Sequence, residues 1–379
     1  MEGASSAAPV FTFSSDGRET RALTVLRKRV VPSLTPSQHK GQSGRVLVVG
    51  GSENFTGAPY FAAQSSLECG SDLATIACHP SASTPLKAYS PELIVTPSLS
   101  DPDLSDSSST TSLLNAVRRA HCVIVGPGLG RDSSQLSAAR SAISFARDAS
   151  VPLVLDADAL WLLTHDLSLA SGHSCLVLTP NAVELQRLLS AAEIPSPSSS
   201  SSEARQIASL SARLGGATVV KKGREDIIVS CHSHQLEATS TSDASDPSGI
   251  LLRCGMFGSP RRCGGQGDIL CGSIATFLAW SCGLRDSSAG ASAAVAAAEA
   301  DDDDDDDSEA KQMGQQQQQQ SQLTPGALAA FGGCVIVRRA AQLAFAKRRR
   351  STGTQDVLSH VGKALDELFP LDENTRVDK

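Results

Sequence analysis

Short continuous apolar runs, each closed by turn residues, constrain this chain more than any other feature. The first is Val46-Leu47-Val48-Val49, ended by Gly50-Gly51, and similar runs recur at 74–78, 122–125, 151–155, 175–178, 218–220 and 226–229. A run without polar alternation is a strand buried on both faces, the condition of a parallel sheet covered on two sides. Between most of them lie helical stretches such as Pro59 to Cys69 and Ser133 to Arg147. This alternation predicts an α/β fold: one open, mostly parallel sheet with helices on both faces.

The 379 residues are expected to form a single domain over 41–379 behind a flexible leading segment, 1–40. Three polar segments interrupt the pattern: the serine run Ser198 to Ser202, residues 231–250 between two strands, and about 284–323 with poly-Asp and poly-Gln tracts. The last cannot bury enough apolar surface to offset its ordering entropy and reads as a disordered insertion between helices. Helical pattern resumes from Leu328 to Lys347.

A net charge of −7, with seven negative charges in Asp301 to Asp307 alone, lacks the basic footprint of a nucleic-acid binder. No apolar stretch of about 18 residues is evident, so no membrane span is expected. The ten cysteines form no CxxC pair, which disfavours a zinc site and fits buried thiols in a reducing compartment. A cytoplasmic location is expected; the four Arg and one Lys within 18–30 leave a mitochondrial presequence as the alternative.

The most informative stretch is Arg261-Arg262-Cys263-Gly264-Gly265-Gln266-Gly267-Asp268, leading into a helical sequence. A glycine turn entering a helix presents backbone N–H groups and the positive helix end to an anion. Asp268 at that mouth is either a base for a hydroxyl that attacks a phosphoryl group or a helix N-cap. A second loop, Gly126-Pro127-Gly128-Leu129-Gly130, lacks the GxGxxG spacing of a dinucleotide fold. Asp156 and Asp158, after a strand, could hold a hydrated Mg²⁺ or form a solvated turn capping the helix at Ala159. Leu178-Thr179-Pro180-Asn181-Ala182-Val183-Glu184 reads as a strand stop and helix cap. Lys222-Gly223-Arg224-Glu225-Asp226 reads as a strand connection that contacts phosphate or is simply charged. No Walker A loop, serine nucleophile elbow or HExxH motif occurs.

In order, GRVLVVGGSENFTGAPYFAA, AYSPELIV, VIVGPGLGRD, PLVLDADALWLL, LTPNAVELQRL, VVKKGREDIIV, GSPRRCGGQGDILCGSIA and AFAKRRRSTGTQDVL resemble successive blocks of the ATP-dependent NAD(P)H-hydrate dehydratases, the YjeF C-terminal family of the ribokinase-like superfamily. The resemblance spans roughly residues 40–370. It implies a hydrated-nucleotide site at Gly128, at Asn181, Ala182, Val183, Glu184, Leu185, Gln186 and Arg187, and at Asp268. It implies an ATP site at Lys222, Gly223, Arg224, Glu225 and Asp226, and at Gly258, Ser259, Pro260, Arg261, Arg262, Cys263, Gly264, Gly265, Gln266 and Gly267. Lys221 stands where an apolar residue is more usual, and the acidic, Gln-rich insertion is unlike the compact pattern.

The implied reaction is repair of NADHX and NADPHX, hydrated NADH and NADPH, by a lyase using ATP and Mg²⁺. ATP phosphorylates the ring hydroxyl with Asp268 as base; phosphate then leaves. The implied partners are these small molecules and a separate epimerase, with homo-oligomer formation left open. The alternatives are a vitamin-precursor kinase on the same fold and a non-enzymatic ATP-sensing protein.

Overall fold

Nine strands form one sheet in the order β3-β2-β1-β4-β5-β6-β7-β8-β9 in the computed structural model, which describes residues 18–35, 38–99, 108–195, 203–232, 249–283 and 323–371. The strands are β1 (Arg45–Val49), β2 (Leu73–Cys78), β3 (Ile94–Pro97), β4 (Cys122–Val125), β5 (Leu153–Leu155), β6 (Leu176–Leu178), β7 (Thr218–Lys221), β8 (Asp226–Ser230) and β9 (Ile250–Cys254). Pairing is parallel from β3 through β7 and antiparallel for β8 and β9. The mostly parallel α/β sheet expected from the apolar runs is therefore present.

Successive strand residues face opposite sides, so each strand serves two cores. Val46, Val48, Ile76 and Ile124 join α1 (Arg18–Val25), α2 (Gly57–Glu68), α3 (Pro80–Tyr89), α9 (Gln266–Ser281), α10 (Pro325–Arg348), α11 (Thr354–Leu358) and α12 (Val361–Leu368). Leu47, Val49, Val125 and Leu155 join α4 (Ser108–Arg119), α5 (Ser133–Asp148), α6 (Asp158–Leu163), α7 (Ala182–Ala191) and α8 (Glu203–Arg213). Small residues bring the helices of the first layer close. A side chain at Gly272 of α9 would strike Ser65 and the Ala62 carbonyl of α2. One at Gly333 of α10 would lie within 3.0 Å of the Ile274 backbone nitrogen.

Two expectations need correction. Residues 18–30 are not a flexible lead: α1 and a π-turn (Leu26–Val30) bury Ala22, Leu23 and Leu26 in the first core. Their i, i+1, i+4 spacing makes an apolar stripe between the arginines, and Arg27 Nε donates to the Leu368 carbonyl at 2.8 Å. Strands β3 and β9 add two edge elements beyond the apolar runs. The serine run and most of the two longer polar segments fall at 196–202, 233–248 and 284–322, outside the described residues. Helix α10 is apolar and long enough to cross a membrane, yet 72% of its most apolar window is buried inside the protein. It is a core helix, with Phe331, Cys334 and Val335 in the first core.

Strand order reverses between β1 and β4, the switch point where open α/β sheets hold ligands. A side chain at Gly50, just after β1, would collide with the Pro127 carbonyl after β4. Gly51 N donates to Gly128 O at 3.1 Å, which locks the two loops together.

Candidate active site

Segments that leave the carboxyl ends of β5, β6 and β7 converge on the first turn of α9. Gly265 is the N-cap of that helix at φ +90°, a left-handed conformation that a side chain would strain. Gln266, Gly267 and Asp268 follow, and no side chain caps their turn. Asp268 is therefore the third helical residue, which removes its reading as an N-cap. Its carboxyl has neither a hydrogen bond nor an ion pair among the described residues. Burial and the neighbouring charge of Asp156, opposed by Lys222, push it up to about 7.

Asp156 follows β5 and is only 3% exposed. Lys222 Nζ lies 2.7 Å from its Oδ1, and the Thr179 hydroxyl donates to the same oxygen at 2.8 Å. Burial alone would raise the Asp156 carboxyl, but the Lys222 charge and these hydrogen bonds hold it below the usual range. Burial would likewise lower the Lys222 ammonium, and Asp156 instead keeps it raised and charged. A Cβ on Gly267 would sit 3.4 Å from Lys222 Nζ and 3.7 Å from Asp156 Oδ2, so the helix mouth lies directly against the pair. The carboxylate that ionises easily is thus already neutralised. The one that resists ionisation stands free beside it.

The Mg²⁺ reading of Asp156 and Asp158 does not fit these contacts. Asp156 Oδ1 accepts from both Lys222 and Thr179, and the ammonium 2.7 Å away already neutralises its charge, while Asp158 accepts from Gly130 N at 3.0 Å and Arg131 Nε at 3.2 Å. Nor is Asp156 in a solvated turn. Ala157, at φ 49° and ψ −118°, sends its two neighbours to different partners. A backbone of this kind costs about 1–3 kcal/mol and persists only where surroundings impose it. Among the described residues no group of three or more His, Cys, Asp or Glu could hold a metal ion.

Beside the α9 turn opens a cavity of about 580 Å³. Of the expected ATP residues, Lys222, Gly223, Arg224, Asp226, Gly258, Ser259, Pro260, Arg262, Cys263, Gln266 and Gly267 line it. Glu225, Arg261, Gly264 and Gly265 do not; Glu225 pairs with Arg253 at 2.9 Å. Asn181 also lines this cavity, whereas Glu184 and Arg187 line a smaller cleft of about 120 Å³ with Arg131, Asp158 and Trp161. Asn181 and Glu184 form the capping box of α7, and Glu184 Oε2 reaches within 4.0 Å of Lys222 Nζ. Ala182, Val183 and Gln186 are exposed, while Leu185 is core. A Cβ on Gly128, at φ +60°, would come to 2.5 Å from the Phe55 carbonyl, so only glycine fits there.

Sequence reasoning did not find Thr179, the Asp156–Lys222 pair, Arg338 or Thr354. Thr354, at the start of α11, donates its hydroxyl to the Gly264 carbonyl and props the glycine turn. Its block was visible in the sequence; its contact, ninety residues away in the chain, was not.

Known proteins place this geometry in a family. The profile of the NAD(P)H-hydrate dehydratase family matches residues 46–322. An ATP-dependent (S)-NAD(P)H-hydrate dehydratase of Ixodes scapularis is 40% identical over 343 residues, covering 90% of this chain and 94% of the relative. The protein of that name in Homo sapiens is 36% identical, covering 91% and 84%. A ribokinase-like superfamily protein of Enterococcus faecalis shares the fold at TM-score 0.60 and 19% identity, covering 91% of this chain and 94% of its own. So does the Bacillus subtilis ADP/ATP-dependent NAD(P)H-hydrate dehydratase co-crystallised with ATP/Mg2+, at 0.55 and 16%, covering 95% and 99%. A glycine turn, a free carboxyl above it and a relative this close across nearly its whole length lead to one assignment: the chain belongs to the NAD(P)H-hydrate dehydratase family.

Proposed function

We propose that this protein is an ATP-dependent lyase that dehydrates the S form of NADHX and NADPHX to NADH and NADPH, releasing ADP and phosphate. The observation that carries the reading is the Asp268 carboxyl, without a hydrogen bond or ion pair among the described residues and pushed up to about 7 by burial and Asp156, in the first turn of an uncapped helix. Hydroxide is a poor leaving group, so the ring hydroxyl must first be activated. Asp268 takes its proton as the oxygen bonds to the terminal phosphorus of ATP and the bond to the bridging oxygen of ADP breaks. The α9 N-terminus and the Lys222 ammonium face the charge that develops. The ring nitrogen's lone pair then expels phosphate, and loss of a ring proton restores the double bond.

The larger cavity, which Lys222 and the helix-mouth residues Gln266 and Gly267 line, is the proposed ATP site. Mg²⁺ fits as the ion carried by the nucleotide's phosphates and water, because the described residues offer no carboxylate cage. Only the S hydrate is consumed, so the proposal includes a separate epimerase to supply it. The proposed compartment is the cytoplasm, and imaging of a C-terminally tagged protein tests it; mitochondrial signal would overturn it. For the reaction itself, the protein is incubated with hydrated NADH and ATP. Recovery of NADH absorbance with stoichiometric phosphate is expected. A phosphorylated organic product without NADH would instead mark a kinase.

A further inference from the structure

Two segments that wall the larger cavity, the β7–β8 hairpin and the loop leaving β9, are tied together by Arg338 of α10. Its Nε donates to Asp226 Oδ2 at 2.7 Å and its Nη2 to Gly223 O at 3.0 Å. Its Nη1 donates to Arg224 O and Met256 O, both at 2.9 Å. A Cβ on Gly258 would lie 3.3 Å from the Arg338 carbonyl, so the loop also rests on the helix backbone. The planar guanidinium thus fixes the separation of the two walls, which a point charge on a flexible stem could not do.

On the loop so held stands Phe257. Its neighbours Met256 and Gly258 are buried, but Phe257 is 66% exposed and lines the cavity. Leu270, Val337 and Ala341 line the same cavity. The lining is therefore of two kinds: a cationic part with helix N–H groups at Lys222 and Gly267, and an apolar part with an exposed aromatic ring. That matches a nucleotide, whose phosphates take the first and whose flat base takes the second.

We propose that Phe257 recognises the base of the nucleotide, covering it against Leu270, Val337 and Ala341, and that Arg338 is the positioning residue that holds this slot open to the right width. The proposal rests on ATP being the co-substrate, yet its test does not require the dehydration to occur. Binding of ADP and of inorganic tripolyphosphate is measured by calorimetry on the full chain. Phe257→Ala is expected to weaken ADP about 10-fold, the scale of a lost base–aromatic stack. It should leave tripolyphosphate unchanged, and Phe257→Trp should restore ADP. Arg338→Lys keeps a charge beside Asp226 but loses the carbonyl bonds, so ADP should weaken and the further loss on adding Phe257→Ala should be much smaller. Wild-type ADP affinity in Phe257→Ala, or an equal loss for tripolyphosphate, overturns the base slot. Strict additivity of the two substitutions overturns the positioning role. A wild-type protein that binds no ADP overturns this proposal together with the ATP reading, whereas ADP binding without dehydration strikes only the reaction.

Discussion

Asp268 must be ionised to accept a proton, yet burial and the adjacent Asp156 both oppose its charge. A base poised near the working pH reconciles the two demands. Turnover is therefore expected to fall as pH drops through about 7 in a kcat/KM profile. Asp268→Asn keeps the shape and loses the base, and turnover should drop by at least about 100-fold. Its affinity for ADP should hold or improve, because a negative charge beside the phosphates is gone. Near-normal turnover would falsify the catalytic assignment. Stability gives an independent check. A carboxyl raised on folding binds its proton more tightly in the native state. Its contribution is thus greatest below the unfolded value and is lost as pH rises through about 7. Melting of Asp268→Asn should therefore exceed wild type at pH above about 7, with the gap shrinking under acid. This residue was legible because a glycine turn, a helix start and an acid are adjacent in sequence. Lys222 and Asp156 were not legible as a pair, since their bond joins positions 66 residues apart.

At the level of elements, unbroken apolar runs told where the central strands lie, because a strand covered on both faces has no polar face to show. Edge strands escape that signal. In β3 (Ile94–Pro97), Ile94 is 47% exposed and the burial pattern is broken, so sequence pattern alone weighs little. Strand β9 alternates buried and half-buried residues behind a long polar stretch, and α1 hides a small apolar stripe among arginines. The α2–α9 contact is where an element's placement bears most directly on chemistry. Helix α9 carries Asp268 at one end, and Gly272 one turn later lets it lie against Ser65 and Ala62 of α2. Gly272→Val should cost about 1–3 kcal/mol or more by overpacking. Thermal unfolding should show the loss, and turnover should fall with it as the helix mouth is displaced. A variant with unchanged melting temperature and rate would show that this contact does not place the helix.

Across the whole molecule, the sheet has two edges with different work. Every strand from β4 to β7 ends at the edge that carries the candidate site, and antiparallel β8 and β9 bring Asp226 and Met256 back to it. The opposite edge carries the ends of α9 and β8. Cys282, closing α9, lies with its Sγ 3.1 Å from that of Cys175, which precedes β6. Gly326, opening α10, packs against Thr218 at the start of β7. The chain's two longer polar segments therefore depart and return at that far edge, after Cys231–His232 and after Gly283. Replacing residues 286–322 by a short Gly/Ser linker should leave folding and turnover intact; a soluble deletion variant that had lost most activity would show otherwise. The same polarity makes the junction between Gly283 and Leu323 a natural port for engineering. A fluorophore, an affinity handle or a second enzyme inserted there would be tethered at the edge opposite the proposed nucleotide cavity.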